Sequence, residues 1–221
     1  GTSYTEREKT AIVKLAEKYD VYIAEDDFLG DLENDKKADP LHYYDVSSHV
    51  IYLKSFSKII FPGLRVGAAV LPDSLTIVFN RYKQLLDIDS SMLSQAALEI
   101  YLKSGMFEKH KQKIRSSYQK RSCLLHDLLK ECSASLGDVF EFHPPAQPAI
   151  HTHIELDRTI PASRLIKSLQ KRDVLLEPVN AHYMPAFPKR NLLKINTSNV
   201  KEEDIRSGIE RLRQAVETAY F

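Results

Sequence analysis

The chain has 221 residues, 43% of them hydrophobic, which is enough to bury a core and to build one large or two small domains. Lys and Arg number 31 against 30 Asp and Glu, a formal net charge of +1, so no domain-wide attraction for a phosphate backbone exists and any DNA binding is expected to come from a domain outside this chain. No apolar run is long enough to span a bilayer, the first residues lack the order of a signal peptide, and Cys123 and Cys132 offer neither a disulfide framework nor zinc spacing; a cytoplasmic protein with no membrane contact is expected.

In chain order, Thr5-Glu6-Arg7-Glu8 has the pattern of a capping box, and Ile12, Leu15, Ala16 and Tyr19 follow on one face, predicting a helix over about 6–18. Val21 to Ala24 reads as a buried strand ending in the acids Glu25, Asp26 and Asp27, where α/β folds place ligand groups. Leu29 to His42 carries no period and is expected to be a loop over a site entrance. Val50 to Leu53 forms the next strand, and Val66 to Leu71, closed by Pro72, a third; the expectation is that the three exits face one region and gather Asp26, Lys58 and Arg65.

From Ser74 the pattern turns helical, with a long segment around 100–129. Its basic run Lys109-His110-Lys111-Gln112-Lys113 reads as a solvated face, because Ile114, Tyr118, Leu124, Leu125, Leu128 and Leu129 keep helical spacing. Phe140 to His143, Ile150 to Leu156, Val174 to Pro178 and Leu192 to Asn196 predict strands, Ala162 to Lys171 and Glu202 to Tyr220 helices. His151 and His153 fall on one face of a strand without a third ligand of suitable spacing, so no metal site is expected.

The segment Ser55-Phe56-Ser57-Lys58-Ile59-Ile60-Phe61-Pro62-Gly63-Leu64-Arg65 carries the chemistry. A lysine between hydroxyl residues with a guanidinium seven positions later is how a pyridoxal phosphate site is built: the amine forms a Schiff base, and an arginine fork suits a phosphate dianion. Together with Glu25-Asp26-Asp27-Phe28, Gln95-Ala96-Ala97-Leu98, Ser104-Gly105 and Arg115, Tyr118 and Arg121, this segment resembles fold-type I aminotransferases. The resemblance is closer to the aminotransferase-like effector domain of MocR-type regulators of the GntR family.

The resemblance implies an α/β, fold-type I PLP-dependent aminotransferase-like fold, with 1–100 the C-terminal part of the cofactor-binding large domain and 101–221 an interdomain helix and small domain. It assigns Lys58 to the Schiff base with pyridoxal 5'-phosphate, Asp26 to the ring nitrogen and Ser55 to the phosphate, with Arg65 as the phosphate's charge-assisted partner and Ser57 as a second cofactor-binding hydroxyl flanking the lysine. Phe28 stands where the family usually has a tyrosine that donates to the cofactor's 3-oxygen. In Leu193-Lys194-Ile195-Asn196-Thr197-Ser198, Lys194 takes the place of the arginine that clamps a substrate carboxylate, and is the candidate effector-binding residue. Gly1-Thr2-Ser3 matches the end of a family element, so the chain is expected to begin mid-domain with about half of a site.

The expected function is a dimerising, PLP- and effector-binding domain fragment of a MocR-type regulator, a homodimer sensing an amino acid or related amino compound through aldimine chemistry. An active aminotransferase and a degenerate dimerisation scaffold are the alternatives. Phe28 and Lys194 weaken catalysis more than binding, which favours the regulator over an efficient aminotransferase.

Overall fold

The computed structural model describes residues 4–32, 39–60, 62–86, 90–145 and 151–220. They form two compact units, Ser3–Ser116 and Ser117–Phe221, each with its own sheet.

In the first unit, helix α1 (Glu6–Tyr19) starts as expected: the Thr5 hydroxyl accepts from the Glu8 amide while the Glu8 carboxylate accepts from the Thr5 amide. It ends at Asp20, in the left-handed region. Strand β1 (Ile23–Asp27) begins two residues later than predicted and takes the three acids into the strand, instead of ending before them. The reason is pairing: β1 runs parallel to β2 (Val50–Ser55) from Ile23 opposite Val50 to Asp27 opposite Lys54, so the ladder holds the acidic end extended.

Strand β3 (Gly67–Val70) pairs antiparallel with β2, Ser55 opposite Gly67 and Lys54 opposite Ala68. The expectation of three exits at one end is therefore corrected: two strands leave there, and the third enters. Arg65 still arrives at that end, because it precedes β3 by two residues.

The predicted loop 29–42 holds a 3-10 turn, Gly30–Leu32, and a short helix, α2 (Leu41–Tyr44); residues 33–38 of it lie outside the described residues. Both Glu25 carboxylate oxygens cap α2, accepting from the amides of Leu41 (2.6 Å) and His42 (3.0 Å). Helices α3 (Asp73–Leu86) and α4 (Met92–Lys103) follow. The long helix expected over 100–129 is interrupted: Ser104 caps α4, Gly105 takes φ +73°, and α5 (Met106–Leu136) restarts and runs 31 residues.

The second unit is a four-stranded antiparallel sheet in the order β4 (Phe140–Glu141), β5 (His151–Leu156), β7 (Leu192–Asn196), β6 (Glu177–Pro178). Helices α6 (Ala162–Gln170) and α7 (Glu202–Tyr220) supply the other layer. Alternation along β5 and β7 turns Thr152, Ile154, Leu156, Leu193 and Ile195 inward, where they meet Leu165 and Leu169 of α6, Ile205, Ile209, Leu212 and Val216 of α7, and Leu125 and Leu129 of α5. The strand predicted over 174–178 shrinks to Glu177–Pro178: the Val174 amide instead closes α6 by donating to the Leu169 carbonyl, and Asp173 takes φ +60°. Val174 and Leu176 pack on the core from outside the sheet.

Candidate functional site

Four of the predicted site residues, with Asp26, meet at one end of the first sheet. Residues paired in register share a face, so Asp26, Leu53 and Ala69 lie on one face with Ser55 and Gly67, and Asp27, Lys54 and Ala68 on the other with Glu25 and Tyr52. The turn after β2 is fixed locally. The amides of Ile59 and Ile60 both donate to the Phe56 carbonyl, the Ser57 amide donates to Ser55 Oγ (3.3 Å), and Ile59 is 4% exposed, so this side chain pins the turn while its neighbour Lys58 projects outward. Phe56 meets Phe107 of α5 edge to face, ring centres 6.1 Å apart.

A 3-10 turn, Pro62–Leu64, brings the chain to Arg65, which is exposed and has φ +52°. A non-glycine residue in that region is strained by an amount on the order of 1–3 kcal/mol and stays there only because its surroundings hold it. Gly67 lets the return strand come in close, since a Cβ there would stand 2.9 Å from the Lys54 carbonyl oxygen. The hydroxyls of Ser55 and Ser57, the Lys58 amine and the Arg65 guanidinium are therefore carried by one turn and its return strand, beside the β1 end that carries Asp26.

These front-face groups are chemically open. Asp26, Lys58 and Arg65 are exposed, and none of their side chains forms a hydrogen bond or ion pair among the described residues. Phe28 follows β1 directly and is 39% exposed. Lys194 belongs to the second unit: it sits on β7 between His153 of β5 and Glu177 of β6 in the register, on the face away from the core. Its side chain too is without a hydrogen bond or ion pair among the described residues.

The other face of the first sheet is chemically closed. Tyr52 donates its phenol to Asp27 Oδ2 (2.5 Å), Lys54 Nζ reaches Asp27 Oδ2 (3.1 Å) and Asp31 Oδ2 (2.7 Å), and Asp27 Oδ1 accepts from the Gly30 amide (2.8 Å). A Cβ at Gly30 would lie 2.2 Å from Asp27 Oδ1, so any side chain there would displace the Asp27 carboxylate from its present contacts. Burial by itself pushes the Asp27 carboxyl up, but the Tyr52 hydrogen bond, the Lys54 charge and the Gly30 amide more than offset it, and the carboxyl stays below its ordinary range. Lys54 moves the other way: burial disfavours its charge, and Asp31 and Asp27 together overcome this and raise its pKa. The phenol of Tyr52 is pushed well up by burial and by the neighbouring Asp27.

That closed network is what sequence reasoning missed. Its signal was present: Lys54 is the one charge in β2, and strand alternation puts it on the face opposite Ser55. Asp27 is committed to Tyr52, Lys54 and Gly30, whereas the Asp26 side chain is not.

The donor set fits a phosphorylated pyridine aldehyde: a cation and two hydroxyls for the phosphate, a primary amine for the aldehyde, and a carboxylate for the ring nitrogen. Among the described residues no group of His, Cys, Asp and Glu is arranged to hold a metal ion, and no helix is long and apolar enough to cross a membrane.

Residues 1–212 match the family model described as aminotransferase class I and II. The chain belongs to that family. Its fold is the fold-type I aminotransferase fold: the kynurenine aminotransferase of Pyrococcus horikoshii, solved with PMP, superposes with a TM-score of 0.86 at 26% identity, covering 100% of this chain and 54% of that one. Among curated relatives, the uncharacterized HTH-type transcriptional regulator YcxD of Bacillus subtilis is 59% identical over 212 residues, 96% of this chain and 48% of the relative. The probable rhizopine catabolism regulatory protein MocR of Rhizobium meliloti is 25% identical over 209 residues, 94% of this chain and 41% of the relative. The chain thus spans about half the length of the curated relatives it matches.

Proposed function

We propose that this chain is the pyridoxal phosphate- and effector-binding part of a MocR-type transcriptional regulator. In this reading residues 1–100 belong to the cofactor-binding large domain, 101–221 form the interdomain helix and small domain, the working unit is a homodimer, and DNA is bound by a separate domain. The single observation that carries it is the contrast between the two faces of the first sheet: the reverse-face acids and lysine satisfy one another, while Asp26, Lys58 and Arg65 stand unpaired on the face and turn where the donor set fits this cofactor. The likeness to YcxD and MocR supports the regulatory half of the reading.

Pyridoxal phosphate supplies an aldehyde that captures amines and a ring that withdraws electrons. The residues divide the remaining work. Arg65 and the hydroxyls of Ser55 and Ser57 hold the phosphate dianion, with the guanidinium making the charge-assisted contact. Asp26 keeps a proton on the ring nitrogen, and the Lys58 amine attaches the cofactor. Lys194 attracts the carboxylate of an amino compound, but as a point charge it orients that carboxylate less firmly than a guanidinium would. Phe28 packs without donating a hydrogen bond to the ring's 3-oxygen. Binding is favoured over turnover at both positions, which suits a sensor.

The test is attachment. Full-length protein loaded with pyridoxal phosphate, reduced with borohydride and mapped by peptide, is expected to carry the label on Lys58; a label on another lysine, or none, refutes the assignment. The likeness to kynurenine aminotransferase supports a second reading, an active aminotransferase. Keto-acid release from a panel of L- and D-amino acids at about 1 per second or faster would promote the enzyme over the sensor.

A further inference from the structure

We infer that Lys54 is a positioning residue for the cofactor site, acting from the opposite face of the sheet. This rests on the reading above that Asp26 serves the cofactor's ring nitrogen and Lys58 its aldehyde.

The last rung of the β1–β2 ladder is Asp27 opposite Lys54; beyond it the two backbones are no longer paired. On the front face, the same two strand ends carry Asp26 and Ser55, and the turn to Lys58 follows. A side-chain tie at the final rung therefore sets the spacing between the acid and the amine. Lys54 Nζ makes that tie, 3.1 Å from Asp27 Oδ2, and extends it to Asp31 Oδ2 at 2.7 Å. Asp31 Oδ2 has no other partner among the described residues, so this contact is its sole compensation. Asp31 is also held through its backbone, its carbonyl accepting from Arg115 Nη2 of α5 at 3.0 Å.

The three side chains are each about one-fifth exposed or less, so water screens them weakly. Tyr52 donates to Asp27 from the same strand as Lys54, and His42 stacks over the Tyr52 ring at 5.8 Å; Glu25, on the same face, is committed to α2. Among these groups Lys54 is the cation set between the two carboxylates. Without it, Asp27 and Asp31 face each other uncompensated, and the cheapest relief is to separate the turn Gly30–Leu32 from the strand ends. Asp26 and Lys58 then lose their fixed separation, and the net charge behind the site becomes more negative by one.

The two consequences are measurable on full-length protein. Lys54→Met is expected to weaken pyridoxal phosphate binding by about tenfold or more. It is also expected to move the pH midpoint of the bound cofactor's visible absorbance upward by roughly half a unit or more, because removing a positive charge favours the protonated form. Lys54→Arg, which keeps the charge, should return both values towards the parent, and Lys54→Gln should shift the midpoint as Met does. A general loosening would weaken binding in all three variants without separating charged from uncharged ones.

Folded Lys54→Met protein with affinity within about twofold of the parent and an unmoved midpoint would overturn the inference. If Lys54→Met does not fold, Lys54→Gln and Lys54→Arg decide by the same criteria. If the parent takes up no cofactor, the proposed function fails first, and the tie is read without it: amide exchange at Gly30 and Leu32 should accelerate in Lys54→Gln and not in Lys54→Arg. Unchanged exchange would sink the tie itself.

Discussion

The two sheets of this chain are covered to very different degrees. In the second unit Phe140, Ile154 and Leu193 are fully buried, and residues from three strands and three helices close a single core around them. In the first unit every residue of β3 is exposed, Leu53 of the central strand is 36% exposed, and α3 leaves Ile77, Leu85 and Leu86 more than three-quarters exposed. The second sheet derives its stability from apolar burial on one face; the first carries open polar chemistry on one face and an ionic network on the other. In the first sheet the paired acids and lysine hold the strand ends where apolar burial does not.

Four experiments break or sharpen this contrast. The largest effect is expected in the closed core: Phe140→Ala should cost about 3–5 kcal/mol, read as a fall in urea midpoint. A loss below about 1 kcal/mol would mean the second sheet is no better supported than the first. Next is the open end of the first sheet. Arg65→Ala should lose on the order of 2–3 kcal/mol of cofactor binding, roughly 30- to 150-fold in affinity. Titration of the full-length protein checks it, and binding within about threefold of the parent would place the phosphate elsewhere.

The third concerns His126, buried on α5 against Phe142, with ring centres 5.4 Å apart. Burial, and then the nearby Lys130 charge, lower its pKa from the ordinary 6.5, against a smaller opposing pull from Asp127. The unfolded chain therefore takes up this proton at a higher pH than the folded one. The resulting stability is complete above about pH 6.5 and is lost as the pH falls below it. Melting temperatures at pH 8 and 5.5 should differ less in His126→Phe than in the parent; an equal difference in both would show that this imidazole has no part in it. The smallest effect is Leu53→Ala in the 221-residue chain, expected within about 0.5 kcal/mol of the parent by the same denaturation measurement. A loss of core size would show that the front of the first sheet is covered.

Much of this was legible in the sequence, and where it failed the cause is pairing. Strand β7 and helix α7 match their expected bounds, because alternation in Leu192 to Asn196 and the stripe Ile205, Ile209, Leu212, Val216 are set within the segment itself. Strand β1 was misplaced because three acids look like a strand's end until a parallel partner holds them extended. The direction of β3 was unreadable, since Gly67 to Val70 is short and apolar in either sense. At the site, the order of Ser55, Ser57, Lys58 and Arg65 was evident from the motif. The Asp27, Tyr52, Lys54 and Asp31 network was not, because its members come from three separate elements and meet only when the sheet and the turn after it form.

The backbone of Arg65 has a practical consequence for anyone engineering this chain. A glycine would adopt φ +52° without penalty, so a library sorted for heat tolerance or expression alone will tend to enrich Arg65→Gly. Such winners would fold better and arrive without the guanidinium proposed to hold the phosphate. Any selection scheme should therefore sort on a ligand-binding readout together with solubility.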